Sequence, residues 1–210
     1  MRISEKAGLQ QRGDSMVICI LGGVGSGKSE VLRIFREKYD ALIIQADLVA
    51  HQLYEAGRPG YEAIGNICGK EYLNEESVDR KKLSAFLLDH PEYLPRINEA
   101  IHPMVYRDIA DTVTANPNRL IIEEQAVIPE TRPGWMEKVW YIHSSPEIRR
   151  KRLKETRGYS DEKTDSIIAK QPSEEEYRRF SDVIIENNGN LNELEEQIDE
   201  NIKYCQRQQR

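Results

Sequence analysis

Val17-Ile18-Cys19-Ile20-Leu21 runs directly into Gly22-Gly23-Val24-Gly25-Ser26-Gly27-Lys28-Ser29, and Val31, Leu32, Ile34 and Phe35 follow. Five consecutive apolar residues suit a strand covered on both faces. The four later ones recur at helical spacing and fall on one face. The octapeptide between them has the form G-x-x-x-x-G-K-[ST]. Its glycines let the backbone wrap an anion without side-chain obstruction, so that consecutive N–H groups and the helix N-terminus converge on phosphate. Lys28 would reach the β and γ phosphates, and the Ser29 hydroxyl stands where such loops meet Mg²⁺. A turn that merely joins strand to helix has no need of a lysine and a serine in this register. Gly23, Val24, Gly25, Ser26, Gly27, Lys28 and Ser29 are therefore read as a binding loop for ATP and Mg²⁺.

Outward from this loop the same alternation continues. Ala41 to Ile44, Leu120 to Ile122, Val139 to His143 and Val183 to Ile185 are further apolar runs, separated by amphipathic segments. Strands alternating with helices predict an α/β fold of three layers, with helices on both faces of a five-stranded parallel sheet. The stretch from Gly60 to Asn116 contains helical patterns punctuated by Pro91, Pro95 and Pro103, and reads as a helical insertion that meets the acceptor substrate. Ser145-Pro146-Glu147 is a helix start, and Arg157-Gly158 a stop. Ser173 with Glu176, and Asn192 with Glu195, have capping-box spacing. One domain over 16–210 is expected, with a core at about 16–59 and 117–205, the insertion at about 60–116 and a mobile lid at about 152–175. Residues 1–15 have no apolar core and read as a flexible extension.

Composition narrows the partners. A net charge of -6 argues against a general nucleic-acid binder, which needs a basic surplus. No apolar stretch approaches the roughly 18 residues that would mark a membrane span. Cys19, Cys68 and Cys205 are odd in number and lack metal-ligand spacing, which fits a reducing cytoplasm. A monomer acting on small molecules is the expectation.

Three further features carry chemistry. Asp47 follows the second apolar run and precedes Leu48, Val49 and Leu53, at a strand end that faces the ligand crevice in open α/β sheets. It reads either as the carboxylate that takes a proton from an acceptor hydroxyl or as a helix N-cap. Glu123 and Glu124 close the run Leu120-Ile121-Ile122, as a Walker-B-type acid that holds metal through water or as an exposed pair. Arg149, Arg150, Lys151, Arg152, Lys154 and Arg157 crowd one helix of an acidic protein, to meet a triphosphate or to form a solvated face.

Together these residues resemble the dephospho-CoA kinase family, from about Met16 to Ile198. The matching pieces are Gly22 to Ser29, Ala46-Asp47 with His51 and Gly57, Asp79-Arg80 with Leu83, and Ile101-His102-Pro103. They continue with Glu130, Arg152-Leu153, Arg157-Gly158, Gln171, Asp182-Val183, Asn187 and Gly189. The resemblance implies transfer of the ATP γ-phosphate to the ribose 3′-hydroxyl of 3′-dephospho-CoA. It makes Asp47 the acceptor-side base, Lys28 and Arg152 the phosphoryl stabilisers and Arg157 a lid arginine. His51, His102 and Glu130 fall on the dephospho-CoA side, and Asn187 and Gly189 border the adenine. Leu21, Gln45 and Gln125 depart from the family's common threonine, first acid and proline. A kinase for another small alcohol, and an ATP-binding module without transfer activity, are the competing readings.

Overall fold

Each of the five apolar runs becomes a strand: β1 Met16–Leu21, β2 Leu42–Gln45, β3 Leu120–Glu124, β4 Lys138–His143 and β5 Val183–Glu186. In the computed structural model, which describes residues 16–208, they form one sheet of order β2-β3-β1-β4-β5. β1 runs parallel to β3 and β4, and β4 runs parallel to β5. The expected extension, residues 1–15, lies outside the described residues.

Alternation along each strand divides the core in two. Ile18, Ile20, Ile122, Trp140 and Ile142 face the helices α1 (Lys28–Tyr39) and α9 (Leu191–Gln208), and meet Val31, Ile34, Phe35, Leu194, Ile198 and Ile202. The four apolar residues of α1 named from its spacing are all buried, each contributing about 1.5–3 kcal/mol of transfer free energy. On the other face Cys19, Leu21, Val139 and Tyr141 pack with Met136 and with Tyr177 of α8 (Glu174–Phe180). The Tyr141 and Tyr177 rings stack at 4.8 Å.

The chain divides into two compact units, one ending at Ile43 and resuming at Pro117, the other spanning Ile44–Asn116. The second unit is helical: α2 Ala46–Leu53, α3 Pro59–Ile67, α4 Arg80–Asp89 and α5 Leu94–Ala115. It begins well before Gly60, because α2 packs against α5. Within it α5 buries Ile97, Ile101, Val105 and Ile109, one residue per turn.

Two expectations about helix ends need correction. Pro103 does not punctuate: α5 runs through it for 22 residues. Proline removes one N–H donor and crowds the carbonyl four residues earlier, yet the buried stripe on either side offsets that cost. The last helix is capped by Asn190 rather than Asn192, with the Glu193 N–H donating to Asn190 Oδ1 at 3.1 Å. Both asparagines precede a glutamate by three, and the Leu194 N–H donates to the Asn190 carbonyl at 3.2 Å, which makes the earlier one the start. The other two starts stand as read. Ser145 Oγ accepts from Ile148 N–H on α6 (Pro146–Arg157), which ends at Gly158 with φ 64°. Ser173 and Glu176 form a capping box on α8. A short α7 (Asp161–Ile168) lies between α6 and α8.

Candidate active site

Within the first unit, the segments leaving β1, β3, β4 and β5 meet at the C-terminal edge of the sheet, where ligands of open α/β folds bind. The glycine loop leaves β1 and turns into α1 at Gly27, whose φ of 92° is strained for any residue with a Cβ. Gly23 has a different constraint: a Cβ there would come within 2.3 Å of Arg149 Nη2 on α6. Lys28 Nζ donates to the Gly22 carbonyl at 2.8 Å and lies 3.4 Å from Glu124 Oε1. Ser26 Oγ is buried without a hydrogen-bond partner among the described residues, and Ser29 is exposed in the first turn of α1. A lysine amine, an orphaned hydroxyl, an open serine and a helix N-terminus converging on one loop suit a phosphate chain with a hydrated Mg²⁺. No cluster of three His, Cys, Asp or Glu that could hold a metal occurs among the described residues, so a cation here must take most of its ligands from phosphate and water.

The two acids ending β3 part company. Glu124 turns to Lys28, whereas Glu123 pairs in register with Cys19 and is fully buried. Neither Glu123 oxygen has a hydrogen-bond partner of good geometry. Burial pushes its carboxyl up to about 8; the Cys19 thiol beside it pulls the other way, and the Glu124 charge adds a smaller push upward. Of the two, Glu124 is the one that reaches Lys28 at the glycine loop.

Arg152 knits the loop to two strand ends. Its Nη1 donates to Ser144 Oγ at 2.9 Å and to the Ser26 carbonyl at 3.3 Å, and its Nη2 donates to the Asn187 carbonyl at 3.0 Å. Asn187 Nδ2 donates to the same Ser26 carbonyl at 2.8 Å, and Ser144 Oγ donates to the Asn187 carbonyl at 2.7 Å. The structure thus brings Lys28, Arg152 and Asn187 together around the glycine loop, and adds Ser144, a serine that nothing in the sequence singles out. Arg157 is exposed at the end of α6, Gly189 lies in the exposed turn after β5, and Glu130 is exposed in the loop after β3.

In the helical unit, Asp47 is exposed in the first turn of α2 with His51 one turn later. Burial, followed by the nearby Arg80 charge, lowers the His51 pKa, and Asp47 opposes them. Asp47, His51 and Tyr54 follow at i, i+4 and i+7 and share a face. That face leads to a cavity of about 340 Å³ lined by Tyr54, Arg80, Leu83, Ser84, Leu87, Leu88 and Leu94. Leu88 is 80% exposed there, an apolar side chain left open to solvent beside a cationic rim. Arg80 and Leu83 come from the sequence resemblance, whereas Leu88 and Leu94 carry no sequence signal. His102 sits inside α5 with its ring 6.2 Å from that of Tyr106.

With this geometry in place, comparison with known proteins is specific. The dephospho-CoA kinase from Streptococcus mutans is 29% identical over 90% of this chain and 98% of its own. That from Carboxydothermus hydrogenoformans is 30% identical over 87% of this chain and 90% of its own. The solved dephospho-CoA kinase from Campylobacter jejuni covers 93% of this chain and 100% of its own with a TM-score of 0.67, at 20% identity, and so supports the P-loop kinase fold. The family model described as dephospho-CoA kinase matches residues 16–193, and the chain belongs to that family.

Proposed function

We propose that the protein transfers the γ-phosphate of ATP to the 3′-hydroxyl of the ribose of 3′-dephospho-CoA, releasing ADP and coenzyme A. The observation that carries this reading is the intact phosphate loop, with Lys28 directed into it and Ser29 open beside it, in a chain of this family. In the transfer, the bond between the γ phosphorus and the β-bridging oxygen breaks, the bond to O3′ forms, and the hydroxyl proton leaves to a carboxylate. Asp47 is that carboxylate, at the start of the helix that follows β2. Lys28 meets charge on the moving phosphoryl group, and the N–H groups of Gly23 to Ser29 hold the rest of the phosphate chain. Mg²⁺, when bound through Ser29 and phosphate oxygens, neutralises the developing charge. Arg152 supports the phosphoryl site from α6, Arg157 approaches it from the lid, and Asn187 and Gly189 flank the adenine. On the acceptor side His51, His102 and Glu130 join Asp47, and the cavity beside Tyr54 and Leu88 takes the pantetheine arm.

The same reading has the enzyme acting as a monomer in a reducing cytoplasm. All three cysteines are free thiols, and no helix among the described residues is long and apolar enough to cross a membrane.

The deciding measurement is ADP release with dephospho-CoA against a panel of nucleosides, with the phosphorylated position of the product identified. Turnover with dephospho-CoA alone, at the 3′ oxygen, is expected, and preference for a nucleoside would overturn the assignment. Asp47→Asn is expected to lower kcat by about 10²–10⁴-fold while leaving ATP affinity unchanged. Normal turnover in that variant would remove Asp47 from the mechanism. Leu88→Asp, at an exposed position, is expected to raise KM for dephospho-CoA about tenfold with KM for ATP unaltered. An unchanged acceptor KM would place the arm elsewhere.

A further inference from the structure

Among the basic side chains of α6, Arg149 differs from its neighbours. Arg150 is paired with Asp165 at the surface, while Arg149 is buried. Its two protein contacts are both neutral. Nε donates to the Val24 carbonyl at 2.8 Å, and Nη2 donates to Gln171 Oε1 at 2.5 Å. Gln171 lies in the loop between α7 and α8, and the same Oε1 also accepts from Val24 N–H at 3.1 Å. The remaining nitrogen, Nη1, makes no hydrogen bond to a described residue, and since it is not among the enclosed atoms left without a partner it opens to solvent beside the loop.

A buried guanidinium held only by a carbonyl and an amide is under-compensated, since a charge taken from water ordinarily requires a counter-charge. Desolvation accordingly works against its charged state, lowering its pKa. The place where it waits is specific. Its Nη2 fills the space that a side chain at position 23 would occupy, so the charge lies directly against the loop that would hold the phosphate chain. A planar fork with one arm unused matches phosphate geometry better than a solvated surface arginine does.

We propose that Arg149 is a phosphate-binding cation of the nucleotide site, aimed by Val24 and Gln171 so that its free arm meets the terminal phosphate of ATP. This rests on the nucleotide half of the reading above and is independent of the acceptor. Gln171 is the positioning residue: by accepting from both Val24 and Arg149 it fixes the guanidinium to the loop, and it ties the α7–α8 connection to an occupied site.

The test is calorimetric titration of MgATP and MgADP, without acceptor, into the full-length protein and its variants. A charge-assisted bond to the terminal phosphate predicts that Arg149→Gln weakens ATP binding about 10–100-fold and ADP binding less than about threefold. If Arg149 only braces the loop, ATP and ADP weaken together, and that result overturns the proposal. Arg149→Lys keeps the charge and guards against misfolding of the neutral variant. Its ratio of ATP to ADP affinity is expected within about fivefold of wild type, and a ratio collapsed to one would equally overturn the assignment. Because no acceptor is present, these outcomes stand whether or not dephospho-CoA is the substrate.

Discussion

Lys28→Met is expected to lower kcat by about a thousandfold, the upper end of what one preorganised donor contributes to an anionic transition state. The side chain makes two contacts, with the Gly22 carbonyl at 2.8 Å and with Glu124 at 3.4 Å. Both are made at the loop, so the amine is held where the proposed site needs a cation for the β and γ phosphates. Removal has a second consequence. Glu124 then loses the amine that screens it from the phosphate chain, and repulsion adds to the lost attraction. The double variant Lys28→Met, Glu124→Gln is therefore expected to recover ATP affinity relative to the single one while kcat stays low. A two-variant cycle of ATP affinity and single-turnover rate measures this. A single variant that retains more than a tenth of the wild-type kcat would show that Lys28 does not act on the phosphoryl group.

How far the site could be read in advance depends on how local its physics is. The glycine loop was legible because strand, turn and helix are contiguous, and each residue type there has its own reason. The capping box at Ser173 was legible on the same ground. Asn190 and Asn192 were not separable, since each stands three residues before a glutamate, and the choice shows only in the backbone, where Leu194 N–H donates to the Asn190 carbonyl. Pro103 misled because its local cost is real, and only the buried stripe of α5 outweighs it. The contacts of Arg152 join residues up to 126 positions apart, and no pattern along the chain encodes such a pairing. Arg149 and Arg152 share a helix face, yet one ends beneath the Gly23 side of the loop and the other beside Ser26. Asp47 was legible as a strand-end acid, but not as a helix N-cap: Gln45 takes that position and Asp47 lies within the first turn of α2.

Glu123 shows most plainly what a strand pattern leaves open. In a run covered on both faces, period-two alternation says that Glu123 and Glu124 point opposite ways but not which of them is enclosed. The enclosed one is Glu123, and it makes a large prediction about stability. Its folded-state pKa of about 8 lies above the ordinary 4.5 of an exposed glutamate. Below 4.5 both folded and unfolded chains hold the proton and burial of this group adds no pH dependence. Between 4.5 and 8 the unfolded chain releases the proton and the folded one keeps it, so stability falls as pH rises. At 1.36 kcal/mol per unit, the accumulated loss above pH 8 is on the order of 5 kcal/mol. Glu123→Met puts an apolar chain of similar length beside Cys19 and abolishes the titration. The variant is expected to gain several kcal/mol over wild type at pH 8, with the gain shrinking steadily toward pH 4.5. Urea unfolding of both proteins across that interval isolates the term, because the one other group that Glu123 perturbs, the Cys19 thiol, titrates above it. Parallel stability profiles would mean that Glu123 carries no raised pKa in the folded protein, and a less stable variant at pH 8 would mean that its carboxylate has partners the packing does not show.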